Sequence, residues 1–205
     1  FTGGDNDTFP LWYLQDVEGF RTDVRVMVLS YFNTDWYINQ LRRPYYNSPA
    51  FRLTLTEDNY RQYGKNDVLY LQETISRPID AVQYLELLRN DSKALTMISS
   101  TGEPYNILPS RNLKFTLKKT DTLNEPFVSA NARTNFSQEI TLTVDANFLQ
   151  KNALAIIDLL VSNGLDRPMY FNFTSANTLG IDIQDYLTQE GLVYRFSGAG
   201  NDADD

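Results

Sequence analysis

Two short polar segments carry the residues best suited to hold a ligand. Gly3-Gly4-Asp5-Asn6-Asp7 and Asn33-Thr34-Asp35-Trp36-Tyr37 together offer three carboxylates, two asparagine amides and an indole. Carboxylates combined with amide oxygens suit a hard cation, and the same groups hydrogen-bond a polyol whose apolar ring face can stack on an aromatic. Asp5, Asn6, Asp7, Asn33, Asp35 and Trp36 are therefore the candidate binding residues. The same positions have a plainer use. Asp7 and Asp35 fall where helices begin, where a carboxylate caps free backbone N–H groups, and Gly3 and Gly4 permit a tight turn. Arg111, in Leu108-Pro109-Ser110-Arg111, is a further candidate. Its guanidinium suits a carboxylate or phosphate clamp, or an ordinary ion pair. Tyr45-Tyr46 either line a sugar groove or pack a loop.

Composition removes whole classes of chemistry. The 205-residue chain has no histidine and no cysteine. Ser-His-Asp catalysis, imidazole or thiolate metal ligation, iron–sulfur clusters and disulfides are excluded. No residue is assigned a catalytic or metal-ligating role, and no cofactor is expected. The formal charge of −8 opposes nucleic-acid binding and docking on anionic lipid. Gly3-Gly4 lacks the spacing of a dinucleotide fingerprint, and no phosphate loop is present.

The elements that would position these residues follow from apolar spacing. A helix capped at Asp7 or Thr8 carries Leu11, Leu14 and Val17 and stops at Gly19. Val24–Leu29 reads as a strand buried on both faces, and Trp36–Arg42 as a second helix. Val68–Leu71 is a strand, and Ser76–Asp80 starts a helix carrying Val82, Leu85 and Leu88. Leu95–Ile98 and Leu113–Leu117 are a hairpin or two edge strands joined through Gly102–Pro109. Residues 118–137 read as a long surface loop. Glu139–Val144 is a strand, and Asp145 caps a long helix that ends at Asn163-Gly164. Met169–Phe173 and Leu192–Phe196 are strands, with a short helix at Ile183–Gln189 between them. The expected architecture is one α/β domain over residues 1–197. It has a mostly parallel, Rossmann-like central sheet flanked by helices, with irregular or antiparallel additions in the middle and a flexible acidic tail at 198–205. In such a sheet the two polar segments lie side by side at the strand ends.

An ordered series of blocks resembles a known family. Gly4-Asp5-Asn6-Asp7-Thr8-Phe9-Pro10-Leu11-Trp12-Tyr13, Val17-Glu18-Gly19, Arg21-Thr22-Asp23-Val24-Arg25-Val26 and Asn33-Thr34-Asp35-Trp36-Tyr37-Ile38 come first. Leu108–Arg111, Arg167–Phe171 and Tyr186–Arg195 follow in order. The series is similar to the C-terminal soluble region of bacterial multi-spanning membrane proteins grouped with a transmembrane protein O-mannosyltransferase of animals. The resemblance implies a parent with an N-terminal transmembrane bundle of the GT-C glycosyltransferase type, and a soluble domain at the periplasmic face of the inner membrane. The family's catalytic carboxylate belongs to a loop of that bundle, so no catalytic residue carries over.

Three functions compete. The first is an accessory domain that positions an acceptor protein or glycan beside its own membrane bundle. The second is a carbohydrate- or metal-binding module using the Asp-rich segments. The third is a glycosidase using paired carboxylates.

Overall fold

The computed structural model describes residues 1–118, 137–164 and 166–198. The loop expected at 118–137 and the tail expected at 198–205 lie almost wholly outside the described residues. Helices α1 (Asp5–Asp16) and α2 (Asp35–Gln40) come first. Then follow β1 (Val68–Leu71), β2 (Ile79–Asp80), α3 (Ala81–Arg89), β3 (Thr96–Ile98), β4 (Pro104–Leu108), β5 (Asn112–Lys118) and β6 (Ser137–Val144). The remainder is β7 (Phe148–Gln150), α4 (Lys151–Asn163), β8 (Tyr170–Asn172), α5 (Phe173–Asn177), β9 (Ile181–Asp182), β10 (Leu187–Glu190) and β11 (Val193–Phe196).

The strands do not form a Rossmann-like parallel sheet. Three sheets are present among the described residues, in orders β3-β4-β1-β7, β10-β11-β8 and β2-β5-β6-β9. Only β1 with β4 and β2 with β5 run parallel. The longest pairing is antiparallel, β5 against β6, from Asn112 opposite Thr143 to Lys118 opposite Ser137. Strict alternation produces it. Leu113, Phe115 and Leu117 on one strand and Ile140, Leu142 and Val144 on the other are buried, with polar residues between them.

The expected strand at Val24–Leu29 is the main reason for the difference. Its apolar run makes one parallel bridge, Thr2 with Val28, in which Thr2 N–H donates to Met27 and Leu29 N–H to Thr2. Met27, Val28 and Leu29 are buried, but Val24 is exposed. The two N-terminal segments run parallel at this single bridge, without a sheet built around them. Phe1 completes the local layer, accepting from Asn172 N–H and stacking on Phe171 at 4.7 Å.

α4 is the central helix. Ala153 to Ile157, Leu159 and Leu160 are buried all round, each large aliphatic side chain contributing about 1.5–3 kcal/mol. It starts at Lys151 rather than at Asp145, because Phe148–Gln150 pair with β1 instead of winding the first helical turn. α3 starts at the end of the expected segment, where Asp80 caps it by accepting from Gln83 N–H at 2.9 Å, while Val82 faces solvent. β4 lies inside the segment expected to be a plain connection. β10 replaces most of the helix expected at Ile183–Gln189, of which one 3₁₀ turn, Gln184–Tyr186, remains.

The helix expected to be capped at Asp7 or Thr8 is capped three or four residues earlier, at Gly4. Gly3 approaches α5 so closely that a Cβ there would meet Thr174 Cγ2 at 2.5 Å. Gly19, at φ +65°, ends the helical turn that closes with Phe20 N–H donating to Leu14.

Candidate functional site

Because Thr2 and Val28 are neighbours, the segments that follow them leave the same edge. α1 follows Thr2, and a 3₁₀ turn at Leu29–Asn33 leads from Val28 into α2. A series of aromatic rings joins the two. Phe9 lies 5.9 Å from Trp12, Trp12 lies 6.3 Å from Tyr31, and Tyr31 lies 6.3 Å from Trp36. Tyr37 packs edge-on beneath Tyr31 and Trp36, and its buried hydroxyl accepts from Val28 N–H at 2.9 Å. The ring series is therefore seated on the core at Tyr37, while Phe9 and Trp36 are more than half exposed.

The predicted site residues divide by what already occupies them. Asp5, Asn6 and Asp7 lie in the first turn of α1, where carboxylates face the positive end of the helix dipole. No hydrogen bond engages their side chains among the described residues, and Asp5 and Asn6 are exposed. Asp35 is committed to structure: it accepts from Trp36 N–H at 2.7 Å and from Gln62 N–H at 3.1 Å. The Gln62 amide chiefly, then the Trp36 amide and the Lys151 charge, hold its carboxyl below the usual carboxylate range. Such a group is an ionised acceptor and a poor general acid. Asn33 Oδ1 accepts from Asn152 N–H at 3.3 Å, tying this edge to the first turn of α4. Trp36 is left with an open indole.

Arg111 is placed elsewhere. It pairs with Glu73 at 2.9 Å and donates to the Val144 carbonyl at 2.7 Å, stapling β6 to the segment after β1. No group of three or more acidic side chains that could hold a metal ion gathers among the described residues.

Tyr63 lies in a loop that no motif marked, which reaches the candidate site through its neighbour Gln62. Its backbone is left-handed at φ 61° and its ring is 92% exposed. Asp67 accepts from Tyr63 N–H at 2.6 Å, and Gln62, one residue earlier, is tied to Asp35. Holding a bulky residue in this conformation costs on the order of 1 kcal/mol or more. A separate open cleft of about 520 Å³ lies between the ends of β1 and β4, where Tyr70 meets Tyr105 edge-on at 5.3 Å beside Gln72, Ser99, Glu103 and Asn147. It too was unmarked in the sequence, since its walls come from three distant segments.

The sequence profile of the family described as TMEM260-associated domain 2 matches residues 1–202. The chain belongs to this family. No curated protein and no solved structure matches it. Among the described residues of this TMEM260-associated domain, no helix is long and apolar enough to cross a membrane.

Proposed function

We propose that this TMEM260-associated domain is an extracytoplasmic accessory domain of a membrane glycosyltransferase related to the protein O-mannosyltransferases. In this reading it holds an acceptor protein or glycan beside the membrane-embedded catalytic centre and makes or breaks no bond itself. The observation that carries the reading is the ring series Phe9–Trp12–Tyr31–Trp36, bordered by the unengaged Asp5, Asn6 and Asp7. Aromatic faces in a row with carboxylate and amide acceptors beside them suit a neutral, hydroxyl-rich chain, which stacks its apolar ring faces and donates its hydroxyls. The absence of histidine and cysteine is in keeping with a binding role. In the hydrolytic alternative the two backbone donors on Asp35 favour its ionised form and suit it to the nucleophile or base rather than to the protonated acid. The cation alternative lacks a converging ligand set among the described residues.

The test is titration of the chain with neutral oligosaccharides and mannosyl glycopeptides, followed by backbone NMR shifts and calorimetry. Saturable shifts confined to residues 5–12 and 31–37, lost in Trp36→Ala with an unchanged melting temperature, are expected. A well-folded wild-type chain that binds no member of the panel would overturn the glycan-positioning role.

A further inference from the structure

Helix α1 turns polar side chains inward and leaves apolar ones in solvent. Its buried residues are polar: Thr8 is 0% and Gln15 is 6% exposed. Both are hydrogen-bonded. Thr8 Oγ1 lies 2.7 Å from Thr2 Oγ1 and donates to the Gly4 carbonyl at 2.7 Å. Gln15 Nε2 donates to the carbonyls of Arg21 and Val24 at 2.9 and 2.8 Å. The opposite face carries Pro10, Tyr13 and Val17 at helical spacing, flanked by Phe9 and Leu14. Tyr13 is 55% and Val17 65% exposed, and Phe20, held against Leu14 by the helix-ending hydrogen bond, is 61% exposed. A lone exposed apolar residue needs no explanation, but a contiguous stripe on a helix fixed by polar anchors marks an interaction surface.

We propose that this face of α1 is a docking surface for a protein segment that presents apolar residues flanked by lysines or arginines. Charge complementarity selects that occupant. Asp5 and Asp7 stand at one end of the stripe, Asp16 and Glu18 at the other, on a chain of net charge −8. The Asp16 carboxylate is held in place at the rim by the phenols of Tyr45 and Tyr46, at 3.3 and 3.0 Å. A second copy would set carboxylates against carboxylates in either orientation of the two helices, which is repulsive. A lipid surface is disfavoured for a related reason: helices that lie in the membrane interface carry lysine and arginine beside their apolar face, and here those positions are acidic. A basic-flanked apolar partner gains on both counts, burying the stripe and meeting the acidic ends. The proposal shares Asp5, Asp7 and Phe9 with the glycan reading and departs from it at Tyr13, Val17 and Phe20, so Tyr13→Ser/Val17→Ser and Trp36→Ala separate the two.

The experiment uses the isotope-labelled 205-residue chain and two synthetic amphipathic helical peptides of about 18 residues, one of Leu and Lys, the other of Leu and Glu. The expected result is saturable binding of the Leu/Lys peptide with amide shifts confined to residues 9–20, weakened by salt, and no binding of the Leu/Glu peptide. The double variant Tyr13→Ser/Val17→Ser keeps the net charge and alters only solvent-facing positions, so its fold is retained and checked by its amide spectrum. It should weaken the peptide by at least about tenfold. Equal binding by wild type and variant would reduce the effect to bulk charge and overturn the proposal. So would absence of binding, self-association abolished by the same variant, or binding to zwitterionic vesicles in place of the peptide.

Discussion

The phenol of Tyr60 donates a 2.9 Å hydrogen bond to the carboxylate of Asp158, and neither side chain reaches solvent. Asp158 projects from the middle of α4 and also accepts from Thr54 N–H at 2.7 Å, Leu55 N–H at 3.0 Å and Ser162 Oγ at 2.9 Å. Four donors converge on one buried anion, so the irregular segment from Thr54 to Tyr60 is fastened to the central helix by that side chain. Asp158→Asn retains the volume but turns an amide donor toward backbone donors. A loss of about 2–4 kcal/mol in unfolding free energy is expected. Tyr60→Phe removes one donor and should cost about 1–2 kcal/mol. Urea denaturation measures both, and an Asp158→Asn chain as stable as wild type would show that the segment is held by packing instead.

The same buried phenol makes stability depend on alkali. Burial, and for Tyr60 the Asp158 charge, push Tyr60 and Tyr84 well above the ordinary tyrosine value. In the unfolded chain these phenols ionise near pH 10. Above that pH the folded state keeps protons that the unfolded state has lost, so stability, intact below about pH 10, falls as pH rises. Of the 13 tyrosines, Tyr60 and Tyr84 should resist ionisation until the chain unfolds. Ultraviolet titration alongside circular dichroism checks this. Smooth ionisation of every tyrosine before any loss of ellipticity would contradict it.

The polar anchoring of α1 gives an inverted mutational pattern. Gln15→Leu makes the buried face more apolar, yet it leaves the carbonyls of Arg21 and Val24 without their donor. A destabilisation of about 1–3 kcal/mol is expected. Val17→Ser makes the chain less apolar and should change stability by less than about 0.5 kcal/mol. Thermal unfolding of the two variants side by side decides it. If Val17→Ser is the more damaging, the stripe contributes to the fold and is no free surface.

What could be read from sequence alone was whatever depended on neighbours in the chain. The stop at Gly19, the helix start at Ser76–Asp80 and the strand at Glu139–Val144 are local, and each was legible. Leu149 fits the spacing of α4 and equally the alternation of β7, and only its partner Leu69 on β1 decides between them. Leu11, Leu14 and Val17 marked a helix by their spacing, but spacing does not tell which face of that helix is buried. The polar candidates were ambiguous for a related reason. Asn33 and Asp35 are taken up by Asn152 and Gln62, residues far along the chain, whereas Asp5, Asn6 and Asp7 meet no such partner among the described residues. Tyr63 carried no signal, since nothing local marks a tyrosine as left-handed.

Lys151 and Asp67 form an ion pair of unequal burial: the lysine side chain is 2% exposed and the aspartate 30%. Their two deletions should therefore differ. Asp67→Ala leaves an ammonium enclosed in the protein without its counter-ion and also removes the acceptor of Tyr63 N–H, so a loss of about 3–5 kcal/mol is expected. Lys151→Met replaces the charge with an apolar chain of similar length and leaves Asp67 with partial access to water. It should cost about 1–2 kcal/mol at most, because an apolar isostere relieves the desolvation of the cation. Guanidinium melts of both variants give the comparison directly, and equal losses would mean that the pair itself, rather than the stranded lysine, dominates. The Asp67 variant has a second readout, since Tyr63 loses its tie while Gln62 keeps its own to Asp35. The Tyr63 amide should exchange faster with solvent and the Gln62 amide should not.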